Sequence, residues 1–365
     1  MKLSKNFKVA GISLIFVLLV FSQVTAQQQH HRYRHGQGDN SKLKIVCSFA
    51  DYASIAEFIT AGNAEVQYIS HGDQDPHFVP PKPSFAVLLK DADMWLTTGM
   101  DLEQWSTTLL DKAHNNKIMD GEVVFVSVSD GIKKLQVPDK ISRTEGDIHT
   151  MGNPHIHTGP LNLKVIASNI TIGLIKVDPA NAQFYQQKRD EFHDKIDRAH
   201  FGDELVDMFG GETLCKMLEN KTLFSFLERE YEGGKLLDKL GGWLKKALPF
   251  RGARVIAYHK NWIYFAETFG LEVGGYIEPK PGIPPSAKHV QSMIKYIKDH
   301  NIKVMLVASY FERRSPQMIE AKTGIKALFL PLSVLGIPEV TDNFQLVDYW
   351  IDKVNEAIQG VSSNN

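Results

Sequence analysis

Two histidines and two aspartates lie close together in a proline-rich stretch that spans residues 71–84. Four of its fourteen residues are prolines, which fix φ and hold the residue before them in an extended conformation. A histidine in this stretch is therefore expected to lie on a stiff loop, where little freedom remains to be lost when a metal binds. His77 is the stronger candidate ligand and His71 the weaker one. Taken alone, the stretch is equally compatible with a surface loop whose histidines have no function.

Three further side chains that could bind a transition metal follow predicted strands. His155 lies in the long loop after a fourth strand, His259 ends the first strand of a later series, and Glu312 follows the third strand of that series. In open α/β sheets, ligands bind outside the carboxyl ends of the strands. We therefore expect these three side chains and His77 to converge if two sheets face each other. Three imidazoles and one carboxylate suit Zn²⁺ or a similar divalent ion in tetrahedral or five-coordinate geometry.

The other histidines are weaker candidates. His157 is an alternative ligand from the same loop as His155, and His149 precedes both. The remaining histidines are predicted to be solvated or to cap helices: His30, His31, His35, His114, His193, His200, His289 and His300.

Two series of short β-rich runs must position these donors. The first series is predicted to have strands at 43–49, 65–69, 94–97 and 123–128, with helices at 52–60, 84–90 and 102–113 between them. The second is predicted to have strands at 254–258, 272–277, 303–308 and 326–330, with helices at 261–269, 286–300, 316–323 and 344–357. Strands that alternate with helices indicate parallel sheets covered on both faces.

Successive helices without a strand between them separate the two series. They are predicted at 161–175 and 180–198, with a break at Val177-Asp-Pro179. The expected fold class is therefore α/β, with two pseudo-symmetric βα lobes of about four parallel strands each, a long helical linker and a metal cleft between the lobes. The predicted boundaries are 43–178 for the first lobe, 179–204 for the linking helix and 205–362 for the second lobe.

The first residues are typical of a secretory signal peptide. Lys2, Lys5 and Lys8 precede an apolar run at 9–21, and Val24-Thr-Ala26 is a small-residue cleavage site. We therefore predict a signal peptide at 1–26 and a periplasmic mature chain. The polar, histidine-containing leader at 27–42 is predicted to be disordered and solvated, although such tracts can hold metal weakly.

Charge and cysteine content restrict the partners. The formal net charge is −1 and the sequence contains no basic stripe, which argues against nucleic acid as a partner. We expect a monomer. Cys47 lies in a β-rich run and Cys215 on a predicted helix, and two buried thiols far apart are the favoured interpretation.

Several motifs together resemble the zinc- and manganese-binding solute-binding proteins of bacterial ABC importers. They include Gln74-Asp-Pro-His77, Asn153-Pro-His155, His259 with Tyr264-Phe265, and the loop from Glu278 to Ser286. The resemblance covers nearly all of the mature chain. It implies one metal held between two lobes, with His77, His155 and His259 at the positions of the family's three nitrogen ligands, and delivery to a membrane permease.

The sequence departs from this family at the fourth ligand. The family usually has an aspartate at the end of the last strand, where this chain reads Phe329-Leu-Pro-Leu332. Glu312, His157 or a water molecule would then complete the site. A third nitrogen ligand that is histidine rather than glutamate favours Zn²⁺ over Mn²⁺ as the bound ion, because imidazole suits zinc and carboxylate oxygen suits manganese.

Two other functions fit part of the pattern. A zinc-dependent hydrolase would use three histidines and an open coordination position, but the sequence has neither a His-Glu-x-x-His motif nor a Gly-x-Ser-x-Gly elbow. A protein that binds a metal chelate such as a siderophore would be expected to line its cleft with arginines. We therefore predict that the chain is not an enzyme.

Overall fold

The computed structural model describes residues 42–122, 124–138, 149–278, 280 and 282–362. The predicted signal peptide at 1–26 lies outside these residues, and so does the predicted leader at 27–42 except for its last residue. Within the described residues, no helix combines the length and the apolar character needed to cross a lipid bilayer.

Short runs rich in β-branched and aromatic residues form the first sheet. Its strands are β1 (Leu43–Phe49), β2 (Ala64–Ser70), β3 (Met94–Thr97) and β4 (Phe125–Ser127). They pair in parallel in the order β2-β1-β3-β4. The connections contain helices α1 (Ala50–Thr60), α2 (Pro83–Lys90) and α3 (Trp105–Ala113). Because all four strands run the same way, the loop that follows β2 and the loop that follows β4 leave the sheet at the same edge.

Helices dominate the middle of the chain. They are α4 (Asn162–Val177), α5 (Ala182–Phe201), α6 (Asp203–Phe209), α7 (Gly211–Glu219), α8 (Leu223–Leu227) and α9 (Gly242–Ala247), with a hairpin of β5 (Glu230–Tyr231) and β6 (Gly234–Lys235) before α9. The Asp178 carboxylate holds the turn between α4 and α5, since it accepts hydrogen bonds from the Tyr185 hydroxyl at 2.8 Å and from the Asn181 amide at 2.6 Å. Helix α5 packs against α1, α4 and α9, and its Phe192 lies 5.6 Å from the ring of Phe344 in the second βα series, so it links the two series.

The second sheet repeats the architecture of the first. Its strands are β7 (Arg254–Ala257), β8 (Glu272–Tyr276), β9 (Val304–Ala308) and β10 (Lys326–Leu330), with helices α10 (Ile263–Phe269), α11 (Ala287–Asp299), α12 (Arg314–Thr323) and α13 (Asn343–Ser362). They pair in parallel in the order β10-β9-β7-β8. All five residues of β9 are buried, as expected for a central strand covered on both faces.

The predicted fold class is confirmed, with local differences. The helix predicted to start at Leu102 begins at Trp105, and the turn before it contains Met100 and Asp101, which both have a φ of 59°. The fourth strand, predicted over 123–128, is only three residues long. The lobe boundaries at 43–178, 179–204 and 205–362 remain predictions.

The loop that carries His77 packs against the loop that follows β10. A Cβ atom at Gly72 would lie 2.1 Å from the backbone oxygen of Val334 and 2.4 Å from the backbone nitrogen of Gly336. At the start of α1, Asp51 accepts a hydrogen bond from the backbone N–H of Val334 at 3.4 Å. Only glycine allows this approach at position 72, and it holds the beginning of the proline-rich stretch against the second series.

Both cysteines are free thiols in the part of the chain that the structure describes. Cys47 is buried in β1, as predicted, but Cys215 in α7 is only half-buried. The Cys215 thiol donates to Asp197 Oδ1 at 3.3 Å, and Lys164 Nζ lies 2.6 Å from the same oxygen. Cys215 therefore lies at a polar junction of three helices rather than in an apolar core.

The prediction that His200 is solvated or capping is wrong. His200 is fully buried near the end of α5, and among the described residues neither of its ring nitrogens has a hydrogen-bond partner. The rings of Phe201, Trp243 and Phe269 surround it at centroid distances of 4.8, 6.0 and 5.6 Å. Burial, with a smaller contribution from Lys164, lowers the pKa of His200 from 6.5 to about 3.

His200→Phe is expected to reduce the acid sensitivity of folding. The native state excludes a proton that the unfolded chain binds below its pKa of 6.5, so His200 destabilises the fold progressively as the pH falls from 6.5 towards 3. The variant should take up about one fewer proton on unfolding in this window. Urea unfolding at several pH values measures the difference. The exposed His300, changed to phenylalanine, is the control, and an equal change of slope in both variants would contradict the assignment.

Candidate metal centre

His77 is held by the residues just before it. Its backbone N–H and its ring Nδ1 both lie within hydrogen-bond distance of Asp75 Oδ1, at 3.0 and 2.7 Å. A carboxylate only accepts hydrogen bonds, so Nδ1 carries the proton. Nε2 is therefore the unprotonated nitrogen that can act as a ligand. Trp105 Nε1 donates to the backbone oxygen of Pro76 at 2.8 Å and fixes the loop from the other side.

His155 is held in the same way, by a side-chain oxygen two residues before it. Its backbone N–H and its Nδ1 lie 3.0 and 2.9 Å from Asn153 Oδ1. The Asn153 amide nitrogen donates to the backbone oxygen of Lys260 and to Gln136 Oε1. These bonds orient the amide so that Oδ1 faces His155. His155 is fully buried, and Nε2 has no hydrogen-bond partner within the described ranges. Burial, followed by the nearby His77 and His259, lowers the pKa of His155 well below 6.5, so the ring is neutral.

His259 approaches from the second series. It lies two residues after the end of β7, and its Nδ1 lies 2.5 Å from Glu278 Oε2. The other oxygen of Glu278 accepts from the backbone N–H of Gly282 at 2.9 Å, so both carboxylate oxygens are occupied. The His259 side chain is only 5% exposed, and its Nε2 has no partner in the described structure.

The three imidazoles converge. Each offers one ring nitrogen, and these atoms all lie within 4.8 Å of one another in the described chain. The ring centroids are 5.1 Å apart for His77 and His155, 5.7 Å for His77 and His259, and 5.4 Å for His155 and His259. In each ring an oxygen acceptor holds Nδ1, which leaves Nε2 for the common centre. Histidines that ligate zinc are held in this way, since an acceptor on the second nitrogen fixes the tautomer and raises the basicity of the ligand. The donor set therefore fits a transition-metal ion.

The structure does not bring Glu312 into this group. Its side chain is exposed at the start of α12, where its oxygens accept the backbone N–H of Ser315 at 3.2 and 3.1 Å. The Tyr258 hydroxyl also donates to it at 3.4 Å. The carboxylate that reaches His259 from the second series is Glu278, on the loop after β8. Glu312 follows β9, as predicted, but its carboxylate caps α12. The first N–H groups of a helix have no partner within it, and Glu312 supplies one.

The alternative histidines occupy three different environments. His157 is buried beside Phe49, at a ring distance of 5.6 Å, and neither of its nitrogens has a partner among the described residues. Burial lowers the pKa of His157 to about 3. His71 is exposed and lies against Tyr68. His149 is half-buried, and its Nε2 lies 3.1 Å from His77 Nε2.

Sequence reasoning missed the groups that orient the histidines. Asp75 and Asn153 each stand two residues before a histidine, with proline between, and this Asx-Pro-His pattern is a local signal that could have identified them. Glu278 lies 19 residues after His259, so only the pairing of β7 with β8 brings the two together.

Comparison with known proteins places the chain in a family. The family described as "Zinc-uptake complex component A periplasmic" matches residues 45–208 and 215–357. The chain is 23% identical over 290 residues to the high-affinity zinc uptake system protein ZnuA of Bacillus subtilis, covering 78% of this chain and 76% of that protein. It is 26% identical over 361 residues to the manganese ABC transporter substrate-binding lipoprotein PsaA of Streptococcus pneumoniae, covering 96% and 99%.

Solved structures share the fold. A crystal structure of ZnuA superposes with a TM-score of 0.64 at 20% identity, covering 87% of this chain and 99% of that one. Since the family match extends over most of both βα series, the chain belongs to the ZnuA/PsaA-type family of metal-binding substrate-binding proteins of ABC transporters.

Proposed function

We propose that this protein captures a divalent transition-metal ion outside the cytoplasmic membrane and delivers it to the permease of an ABC importer, and that the ion is Zn²⁺. The observation that carries the proposal is the convergence of three ring nitrogens from His77, His155 and His259, each with its other nitrogen held by an oxygen acceptor. Imidazoles whose ring nitrogens converge in this way bind a metal without covalent chemistry.

The donor atoms favour zinc within a family whose members differ in their metal. The relatives include a protein named for zinc uptake and another named for manganese. Zinc is well suited to imidazole, whereas manganese prefers carboxylate and other oxygen ligands. The nearby carboxylates of Asp75 and Glu278 already accept hydrogen bonds from His77 and His259, which supports a nitrogen-dominated centre.

The family also bears on the alternatives. It consists of substrate-binding proteins rather than enzymes, so the zinc-hydrolase hypothesis is not retained. A metal chelate brings its own ligands and has no need of three convergent imidazoles, which favours a bare ion over a siderophore complex. We further propose that the protein acts as a monomer in the periplasm, without a nucleic-acid partner, after removal of the predicted signal peptide at 1–26.

Metal titration of the mature chain tests the proposal. Metal-free protein is titrated with Zn²⁺ in competition with a fluorescent chelator near neutral pH, and the expected result is one tightly bound ion per chain that a large excess of Mn²⁺ does not displace. A variant without residues 27–41 is the control for the leader histidines and should bind the same number of tight ions. Absence of tight zinc binding would overturn the proposed function, and displacement by equimolar Mn²⁺ would overturn the choice of metal.

A further inference from the structure

His149 lies next to the three convergent histidines, and among the described residues no oxygen acceptor holds its ring as the other three are held. Its Nε2 is 3.1 Å from His77 Nε2, and the two rings are stacked with centroids 5.2 Å apart. Its ring centroid is 6.1 Å from that of His155. His149 is not in the group whose ligand atoms all lie within 4.8 Å, so it borders the centre on the side of His77.

Three nitrogen ligands leave a zinc ion one ligand short of its usual four. Among the described residues, the carboxylates near the centre are otherwise engaged: Asp75 and Glu278 accept from histidine Nδ1 atoms, and Glu312 caps α12. The first residue after β10 is Pro331, whose side chain has no donor atom for a metal and whose backbone oxygen accepts from Trp350 Nε1 at 2.7 Å. A further ring nitrogen beside His77 is therefore the donor best placed to complete the set.

We propose that His149 is the fourth ligand of the metal and that the bound site is made of four imidazoles. This inference rests on the proposed metal-binding function. Zinc–nitrogen bonds of 2.0–2.1 Å in a tetrahedron place neighbouring ligand atoms about 3.3 Å apart, close to the separation between the Nε2 atoms of His77 and His149. The distances from His149 Nε2 to the ligand nitrogens of His155 and His259 must shorten. His149 therefore moves towards the ion when it binds.

The tautomers define what changes on binding. The Nδ1–H group of His77 donates a hydrogen bond to Asp75, so its Nε2 is an acceptor. The proton between the two rings is therefore bonded to His149 Nε2. When the metal takes the place of this hydrogen bond, the proton moves to His149 Nδ1 and both Nε2 lone pairs face the ion. The same contact thus holds His149 beside the centre before the metal arrives.

X-ray absorption at the zinc edge of the full chain tests this inference, because multiple scattering from imidazole rings counts them. Four imidazoles are expected in the wild-type protein and three in His149→Ala, with a loss of zinc affinity of about tenfold or more in the variant. His71→Ala removes the exposed histidine of the proline-rich stretch and should keep four imidazoles and full affinity. Thermal unfolding without metal checks that both variants fold.

The outcomes separate the two proposals. A wild-type protein that binds zinc tightly through three imidazoles, with unchanged affinity in His149→Ala, would overturn the role of His149 and leave the proposed function intact. A wild-type protein that binds no zinc would overturn the proposed function and the four-imidazole site with it. The number of imidazole ligands measured in the wild-type protein does not depend on whether any variant folds.

Discussion

His155→Ala is expected to lower the affinity for Zn²⁺ by roughly 100-fold or more, since loss of a ligand should cost at least as much as loss of a group that merely orients one. His155 is the most buried of the three convergent histidines, and its lowered pKa keeps the ring neutral and available to the metal through the mildly acidic range. Competition titration against a chelator measures the change. Thermal unfolding of the metal-free variant shows whether the fold survives the loss of the buried ring.

His157→Leu is the matched control. His155 and His157 are both buried on one short helical turn, but the nitrogens of His157 lie beside Phe49 and outside the convergent group. Leucine removes two buried nitrogens that have no partner in the described part of the chain, so stability should hold or rise and zinc affinity should not change. Equal losses of affinity in the two variants would show that His155 acts through the packing of this turn and not as a ligand.

Glu278→Gln is expected to lower zinc affinity by about 10- to 100-fold, although the residue does not itself bind the ion. Glu278 accepts two hydrogen bonds, from His259 Nδ1 at 2.5 Å and from the backbone N–H of Gly282 at 2.9 Å. A glutamine side chain has the same shape but only one oxygen, so one of these two donors would face an NH₂ group. The His259 ring then loses either its orientation or the negative charge that makes Nε2 a stronger donor to the metal.

Glu312→Gln makes the same chemical change at the carboxylate first expected to bind the metal. Its side chain is exposed at the N-terminus of α12 and lies outside the convergent group. The variant should keep full zinc affinity and lose only a little stability, because a neutral cap is weaker than a charged one at a helix N-terminus. Isothermal titration calorimetry of both variants gives the comparison. If Glu312→Gln bound zinc more weakly than Glu278→Gln, Glu312 would have to be the oxygen ligand of the metal.

The alternation of strands and helices along the chain could be predicted because its signals are local. Short β-rich runs separated by helical stretches identify parallel sheets, and every strand of such a sheet ends at the same edge. This rule selected His77, His155 and His259, which the structure brings together, and also Glu312, which lies outside their group. The Asx-Pro-His pattern also fixes the rings of His77 and His155 through neighbours only two residues away.

Other choices depended on contacts between distant residues. Glu312 and Glu278 both follow strands of the second sheet, but one caps the next helix and the other meets His259 across the β7–β8 pair. His155 and His157 share a turn, and their different environments follow from how that turn packs. His200 looks polar in sequence, yet three aromatic rings enclose it.

The two βα series, the helical link and the three histidines at strand ends could be predicted from the chain alone, since each depends on residues close together in it. Packing of the folded chain settles which carboxylate orients His259, which histidine lies beside His77, and which histidines are buried without a partner in the described residues. A polar side chain binds whichever donor or acceptor the packed fold brings within about 3 Å, and sequence spacing does not encode that distance.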